Sequence, residues 1–196
     1  MNVREFNWPK YLLDQMGAIR SYDFLVVHHS ASGDVSAETI DKWHKNNGYI
    51  GIGYHYVIRQ DGSVEKGRPD DKAGAQCYGY NDRSLGVCLA GDFTAAKPTP
   101  AQFDTLVSLL TELKGRYPAA KVMRHSDLCS TSCPGAGFPW DELQQKLQGG
   151  NTVDWKQQII NEAKSYGLIT EDHDPDEAAS KWFVLAIAIR VLKKLM

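Results

Sequence analysis

The chain has 196 residues, room for one full domain or for one domain with a short appendage. Its composition, 42% hydrophobic, 10% aromatic and 23% charged, is that of a protein able to close a core, and it excludes general disorder. With 22 basic residues against 24 acidic ones, a formal net charge of −2, the chain lacks the concentrated positive field that a general nucleic-acid binder needs.

The first ten residues contain no apolar stretch of the signal-peptide kind, so synthesis in the cytoplasm is expected. The longest apolar run, residues 182–189, is far too short for a membrane span, and no membrane insertion is expected. Cys77, Cys88, Cys129 and Cys133 are too few for a disulfide scaffold at this length and read as thiols, one or more of them available to a metal.

In chain order, Asp23-Phe24-Leu25-Val26-Val27-His28-His29 predicts a strand that ends at Ser30-Ala31-Ser32-Gly33. Ser36 then caps a helix with Ile40, Trp43 and His44 on one face. Residues 53–59 predict a second strand, and the Asp61-Gly62 turn folds it into a hairpin with Ser63-Val64-Glu65-Lys66. Residues 84–90 predict a third strand. The clearest helix follows: Thr99 as cap, Pro100 at its first position, Gln102 completing a capping box, and a stripe of Phe103, Leu106, Val107, Leu110 and Leu113, with Gly115 placed to end it. Lys121-Val122-Met123-Arg124-His125 reads as a short extended segment running into a loop. Strands alternating with helices imply an α/β fold, a mixed central β-sheet flanked by helices.

The Gly149-Gly150-Asn151-Thr152 stretch reads as a linker, dividing the chain into a domain at 1–148, a linker at 149–152 and a small C-terminal helical module at 153–196. In that module one helix runs from about Asp154 to Tyr166 and stops at Gly167; a second has Asp174 as cap, Pro175 at its first position and Glu177 closing the box. Asp172, Asp174 and Asp176 have the spacing of a calcium loop, but Glu177 stands where glycine is required and Phe183 where the bidentate glutamate belongs, so calcium is rejected.

Several side chains can carry chemistry. His28 and His29 end the first strand, and alternation of faces lets at most one of them point at a given site. A hydrogen-bonded surface pair is the plainer reading of the two. In His125-Ser126-Asp127-Leu128-Cys129-Ser130-Thr131-Ser132-Cys133-Pro134-Gly135 an imidazole and a thiolate lie eight residues apart in a loop-forming segment. Together with His28 they make a zinc-type donor set with one position left over for water. Cys129, four residues from His125, is a rival thiol, and two ordinary loop thiols are an equal alternative; spacing alone does not choose.

Val27-His28-His29-Ser30-Ala31, Gly53-Tyr54-His55-Tyr56, Asn81-Asp82-Arg83-Ser84-Leu85-Gly86-Val87, His125-Ser126-Asp127-Leu128 and Cys133-Pro134-Gly135 occur in that order. This series resembles the zinc N-acetylmuramoyl-L-alanine amidases, the family shared by amidase-type phage lysozymes and peptidoglycan recognition proteins, over roughly residues 20–147. Trp43-His44-Lys45 and Thr99-Pro100-Ala101-Gln102 are similar to the phage enzymes as well. The resemblance implies Zn2+ held by His28, His125 and Cys133, with His29 and Cys129 outside the metal shell. It implies Tyr54 as the catalytic tyrosine. Thr131 falls where phage lysozymes of this type carry a catalytic lysine and where amidase-active recognition proteins have threonine. Cys88 stands where cytoplasmic muropeptide amidases place a glutamate, which counts against a glutamate-assisted reaction.

By the same resemblance the substrate is peptidoglycan, cut between the lactyl group of N-acetylmuramic acid and L-alanine. Trp43, His44 and Asn81 are candidates for lining a glycan–peptide groove, and His55, facing opposite to Tyr54, is read as structural. The expectation is a phage or prophage endolysin reaching the wall after holin-type release or lysis. A muropeptide-recycling amidase and a non-catalytic peptidoglycan-binding module are the rivals. The tail weakly resembles short helical wall-binding modules of endolysins; with six basic and seven acidic residues over 151–196, wall binding there would not rest on a cationic field, and pairing into a homodimer is the alternative.

Overall fold

The computed structural model describes residues 3–149 together with Lys164 and Gly167. The chain divides into two units, Met1–Leu143 and Gln144–Met196. The elements of the first unit in order are β1 (Val3–Arg4), α1 (Lys10–Leu13), β2 (Phe24–His29), α2 (Ala37–Asn46), β3 (Tyr56–Ile58), β4 (Val64–Lys66), β5 (Ser84–Leu89), α3 (Pro100–Arg116), β6 (Lys121–Arg124) and α4 (His125–Leu128); α5 (Trp140–Gly149) runs across the division.

The strands form one six-stranded sheet in the order β1-β4-β3-β5-β2-β6, parallel throughout except for the β3–β4 hairpin. This is the mixed sheet with flanking helices that the sequence predicts. The innermost strands are apolar on both faces, as a parallel strand covered on both sides must be: Leu25, Val26 and Val27 of β2 and Leu85, Val87 and Leu89 of β5 are fully buried. The hairpin turns at Gly62, whose φ of +84° lies where a side chain would be strained.

Helix termini follow the local chemistry with two departures. Ser36 accepts the Thr39 N–H at 3.2 Å, and Thr99 accepts the Gln102 N–H at 3.1 Å. The reciprocal half of the expected capping box is not made. The Gln102 side chain instead turns into the core, donating from Nε2 to the carbonyls of Ile58 (2.9 Å) and Ala90 (3.0 Å), and so ties α3 to the ends of β3 and β5. Gly115 does not end α3, which continues to Arg116 with Tyr117 as cap. Its buried stripe includes Leu109, while Val107 is half-buried.

Other boundaries also shift. The second strand is only Tyr56–Ile58, so Tyr54 and His55 lie in the approach to it rather than on opposite faces of it. His125 opens the helical turn α4 instead of a loop. Gly149, the first residue assigned to the linker, is the last residue of α5. In the tail, Lys164 is helical and Gly167 sits in a turn, its N–H donating to the Lys164 carbonyl at 2.8 Å; the rest of the two tail helices lies outside the described residues. An N-terminal layer, for which the sequence offered no assignment, adds β1 at the sheet edge and buries Trp8, whose indole N–H donates to the Gly67 carbonyl at 2.7 Å. Among the described residues no helix is long and apolar enough to cross a membrane.

Truncating Gln102 to alanine strips a buried donor from two carbonyls. The variant is expected to lose about 1–3 kcal/mol of stability in urea unfolding.

Candidate metal centre

The candidate site lies at the carboxyl ends of the parallel strands, where α/β sheets bind ligands. Strands β2 and β6 pair in parallel with Phe24 opposite Lys121 and Val27 opposite Arg124. One residue beyond that ladder come His28 and His125, and their rings lie 4.4 Å apart between centroids. Cys133 reaches the same point from the loop after α4. One ligand atom from each of His28, His125 and Cys133 falls within a sphere of mutual distances of 4.8 Å.

The donor orientation suits a metal. His28, 1% exposed, is held through Nε2, 2.5 Å from Gln76 Oε1; the carbonyl oxygen can only accept, so the ring proton resides on Nε2. The lone pair on Nδ1 is thereby turned toward Cys133 Sγ, 3.8 Å away. A tetrahedral zinc with bonds of about 2.0–2.1 Å to nitrogen and about 2.3 Å to sulfur would separate those two atoms by about 3.6 Å. An outer partner that fixes the tautomer of a ligating histidine is a regular feature of such centres.

Electrostatics agree. Burial, and next the neighbouring His125, push His28 well below the ordinary histidine pKa; burial also lowers His125. Both rings are therefore neutral at neutral pH, the form in which an imidazole can bind a metal. Burial raises the Cys133 thiol to about 11, opposed by the His29 N–H that donates to its sulfur at 3.3 Å. A cation in the site supplies the positive charge that turns such a thiol into thiolate. The three residues fit zinc in number, type and spacing.

Around them, Tyr54 is half-buried with its ring 5.0 Å from that of His28. Burial, then the nearby Cys88 and Cys133, raise its pKa well above the usual value, so its hydroxyl keeps a proton to donate. His44 packs 5.5 Å from Tyr54, and its Nδ1 accepts the Gly53 N–H at 2.9 Å. Trp43, on the same helix, is 40% exposed rather than buried against the core. Asn81 is half-buried and its Oδ1 accepts the N–H groups of both Gln76 (2.8 Å) and Cys77 (2.9 Å), shaping the loop that carries Gln76. Thr131 is exposed, and its Oγ1 accepts the Cys133 N–H at 3.3 Å.

The excluded residues have other occupations. His29 points its Nδ1 at the Phe93 N–H, 3.0 Å away. His55 is fully buried, its Nδ1 accepting from Gly86 and its Nε2 donating to the Lys72 carbonyl, and burial lowers it to about 4. Cys88, paired opposite His28 in the ladder, is a buried thiol whose pKa burial raises well above the usual value. Cys129 is no ligand of the His28 cluster, but it forms a second trio of neighbouring donors with Cys77 and His125.

Sequence reasoning missed Gln76. It lies outside every predicted element, and its only trace in the chain is Gly86: a Cβ there would come within 2.8 Å of Gln76 Cγ, so the strand leaves space for this side chain.

A family model described as N-acetylmuramoyl-L-alanine amidase matches residues 19–136. An endolysin of Enterobacteria phage K11 is 44% identical over 135 residues, 65% of this chain and 86% of the relative. The endolysin of Escherichia phage T7 is 39% identical over 122 residues, 58% of this chain and 81% of the relative. Among solved structures, the N-acetylmuramoyl-L-alanine amidase LysC from Clostridium intestinale URNW is similar with a TM-score of 0.66 at 34% identity, covering 76% of this chain and 98% of that one.

Removing the partner of His28 leaves the ligands in place but frees the ring. Gln76→Ala is expected to weaken zinc affinity by about 10–100-fold, read by competition with a chromophoric chelator.

Proposed function

Because this chain belongs to the N-acetylmuramoyl-L-alanine amidase family and has that family's activity on peptidoglycan, we propose that it is a zinc-dependent endolysin. The bond cut is the amide between the lactyl group of N-acetylmuramic acid and the L-alanine of the stem peptide. The observation that carries the zinc dependence is the convergence of His28, His125 and Cys133 within 4.8 Å, with the Nδ1 of His28 turned inward by Gln76.

His28, His125 and Cys133 would hold the zinc, which would supply Lewis acidity to the amide carbonyl and to a water, whose pKa would fall towards about 7. The chain's own groups do the rest. Gln76 keeps the His28 proton on Nε2, and the His29 N–H steadies the Cys133 sulfur. Tyr54, still protonated at neutral pH, donates a hydrogen bond to the carbonyl oxygen as it gains negative charge. Thr131 accepts the Cys133 N–H with one lone pair and keeps a hydroxyl proton to offer; it is neutral, so its contribution is smaller than that of a lysine. Trp43, His44 and Asn81 are proposed to border the groove for the glycan and peptide. His44 beside Tyr54 supports this most directly. Asn81 has only its amide N–H groups left for substrate, since the backbone of Gln76 and Cys77 takes its oxygen.

Likeness to phage endolysins favours polymeric wall over soluble fragments as the substrate, acting at the wall after release from the cell. For residues 153–196 we propose wall binding, with homodimer formation as the alternative.

Cys133→Ser is expected to lose both bound zinc and the release of new L-alanine amino termini from purified sacculi. Full activity in that variant, or activity indifferent to chelators, would overturn the zinc reading. Tyr54→Phe is expected to keep its zinc while kcat falls about 100–1000-fold.

A further inference from the structure

At the same edge of the sheet, two thiols meet that the hydrolytic site does not use. Cys77 comes from the loop that follows Gln76, and Cys129 from the residue that ends α4. They are 52 positions apart in the chain, yet their sulfurs lie 2.6 Å from each other. Both are free thiols. Cys77 is 2% exposed and Cys129 is half-buried, so one sulfur is sheltered and the other open to a reagent.

Two chemistries compete for this pair. With His125 the thiols make a trio of donors within 4.8 Å, which a soft metal could claim. Two thiolates on a tetrahedral zinc, however, stand about 3.8 Å apart at bond lengths of about 2.3 Å. The observed approach is closer than that, and it suits direct bonding between the sulfurs better than a shared ion. We propose that Cys77 and Cys129 are an oxidisable dithiol site whose disulfide staples the two segments that support the metal ligands. On one side of the staple lies Gln76, which holds His28; on the other lies α4, which begins with His125. Oxidation also withdraws both sulfurs from the donor set that competes for His125.

The co-reactant is a small disulfide such as oxidised glutathione. The Cys129 thiolate attacks one sulfur of it: that S–S bond breaks, a mixed disulfide forms on Cys129, and one glutathione leaves as thiol. Cys77 then loses its proton and attacks the Cys129 sulfur, which releases the second glutathione, also as thiol. Two protein thiols are oxidised by two electrons and one glutathione disulfide is reduced to two thiols. The new bond closes a loop of 52 residues, long enough for a marked effect on the unfolded chain.

Oxidation of the pair needs no substrate and is read independently of hydrolysis, while its bearing on the metal ligands rests on the proposed zinc site. The zinc-loaded full chain is equilibrated with glutathione buffers of increasing oxidising power, quenched with an alkylating agent under denaturing conditions, and digested without reduction. The expected product joins the Cys77 and Cys129 peptides with the loss of two hydrogens, while Cys88 and Cys133 are recovered alkylated. Tm is expected to rise by roughly 5–10 °C on oxidation and to fall again with dithiothreitol. Cys129→Ser, a change at a half-exposed position, should abolish that response. Glutathione retained on Cys129 beside an alkylated Cys77, a dimer linked through Cys129, or a second zinc that shields both thiols in the reduced protein would each overturn it.

Discussion

The parallel register between β2 and β6 is the constraint on which the site depends. Phe24 to Val27 pair with Lys121 to Arg124, so the residues that follow at each carboxyl end are both histidines and arrive side by side. A slip of one position would send His28 to the other face of the sheet, because side chains alternate along a strand. The fully buried apolar residues of β2 hold that register: moving Leu25, Val26 and Val27 out of step would disturb packing on both faces of the sheet.

Around this pairing, the polar groups form a set of supports rather than a set of reactants. Gln76 is the hub: its oxygen meets His28, its amide donates to Ser84 Oγ at 2.8 Å, and its backbone N–H is held by Asn81. Buried polar groups of this kind are costly unless each finds a partner, and here each neighbour satisfies the next. Neutral imidazoles and a protonated thiol make an arrangement that folds without placing a charge in the core; a bound cation would draw out the thiolate. Asn81 also holds the Cys77 N–H, so the proposed disulfide would form within a few residues of the candidate ligands.

Much of the framework was legible from local chemistry. Ser36 and Thr99 are helix caps because their hydroxyls suit orphan N–H groups, and Asp61-Gly62 is a hairpin turn because glycine tolerates positive φ. Where local reasoning failed, a distant partner had won. Gln102 left the capping box for two strand carbonyls that cannot be seen from the helix alone. Tyr54 precedes the strand to which an alternating pattern assigned it.

What the sequence by itself determined is the donor chemistry and the family: two imidazoles, several thiols and a tyrosine in ordered motifs on an α/β framework. Spacing could not choose between Cys129 and Cys133, whose separations from His125 are both compatible with a metal; the ordered family motifs favoured Cys133. The tertiary structure supplied the geometry, directing the Cys133 sulfur toward His28 Nδ1 and the Cys129 sulfur toward Cys77. It alone revealed Gln76 as well. The physical reason is common to both: a ligand set is defined by distances and lone-pair directions among residues remote in the chain, and those are set by strand register and loop packing, which no local pattern encodes.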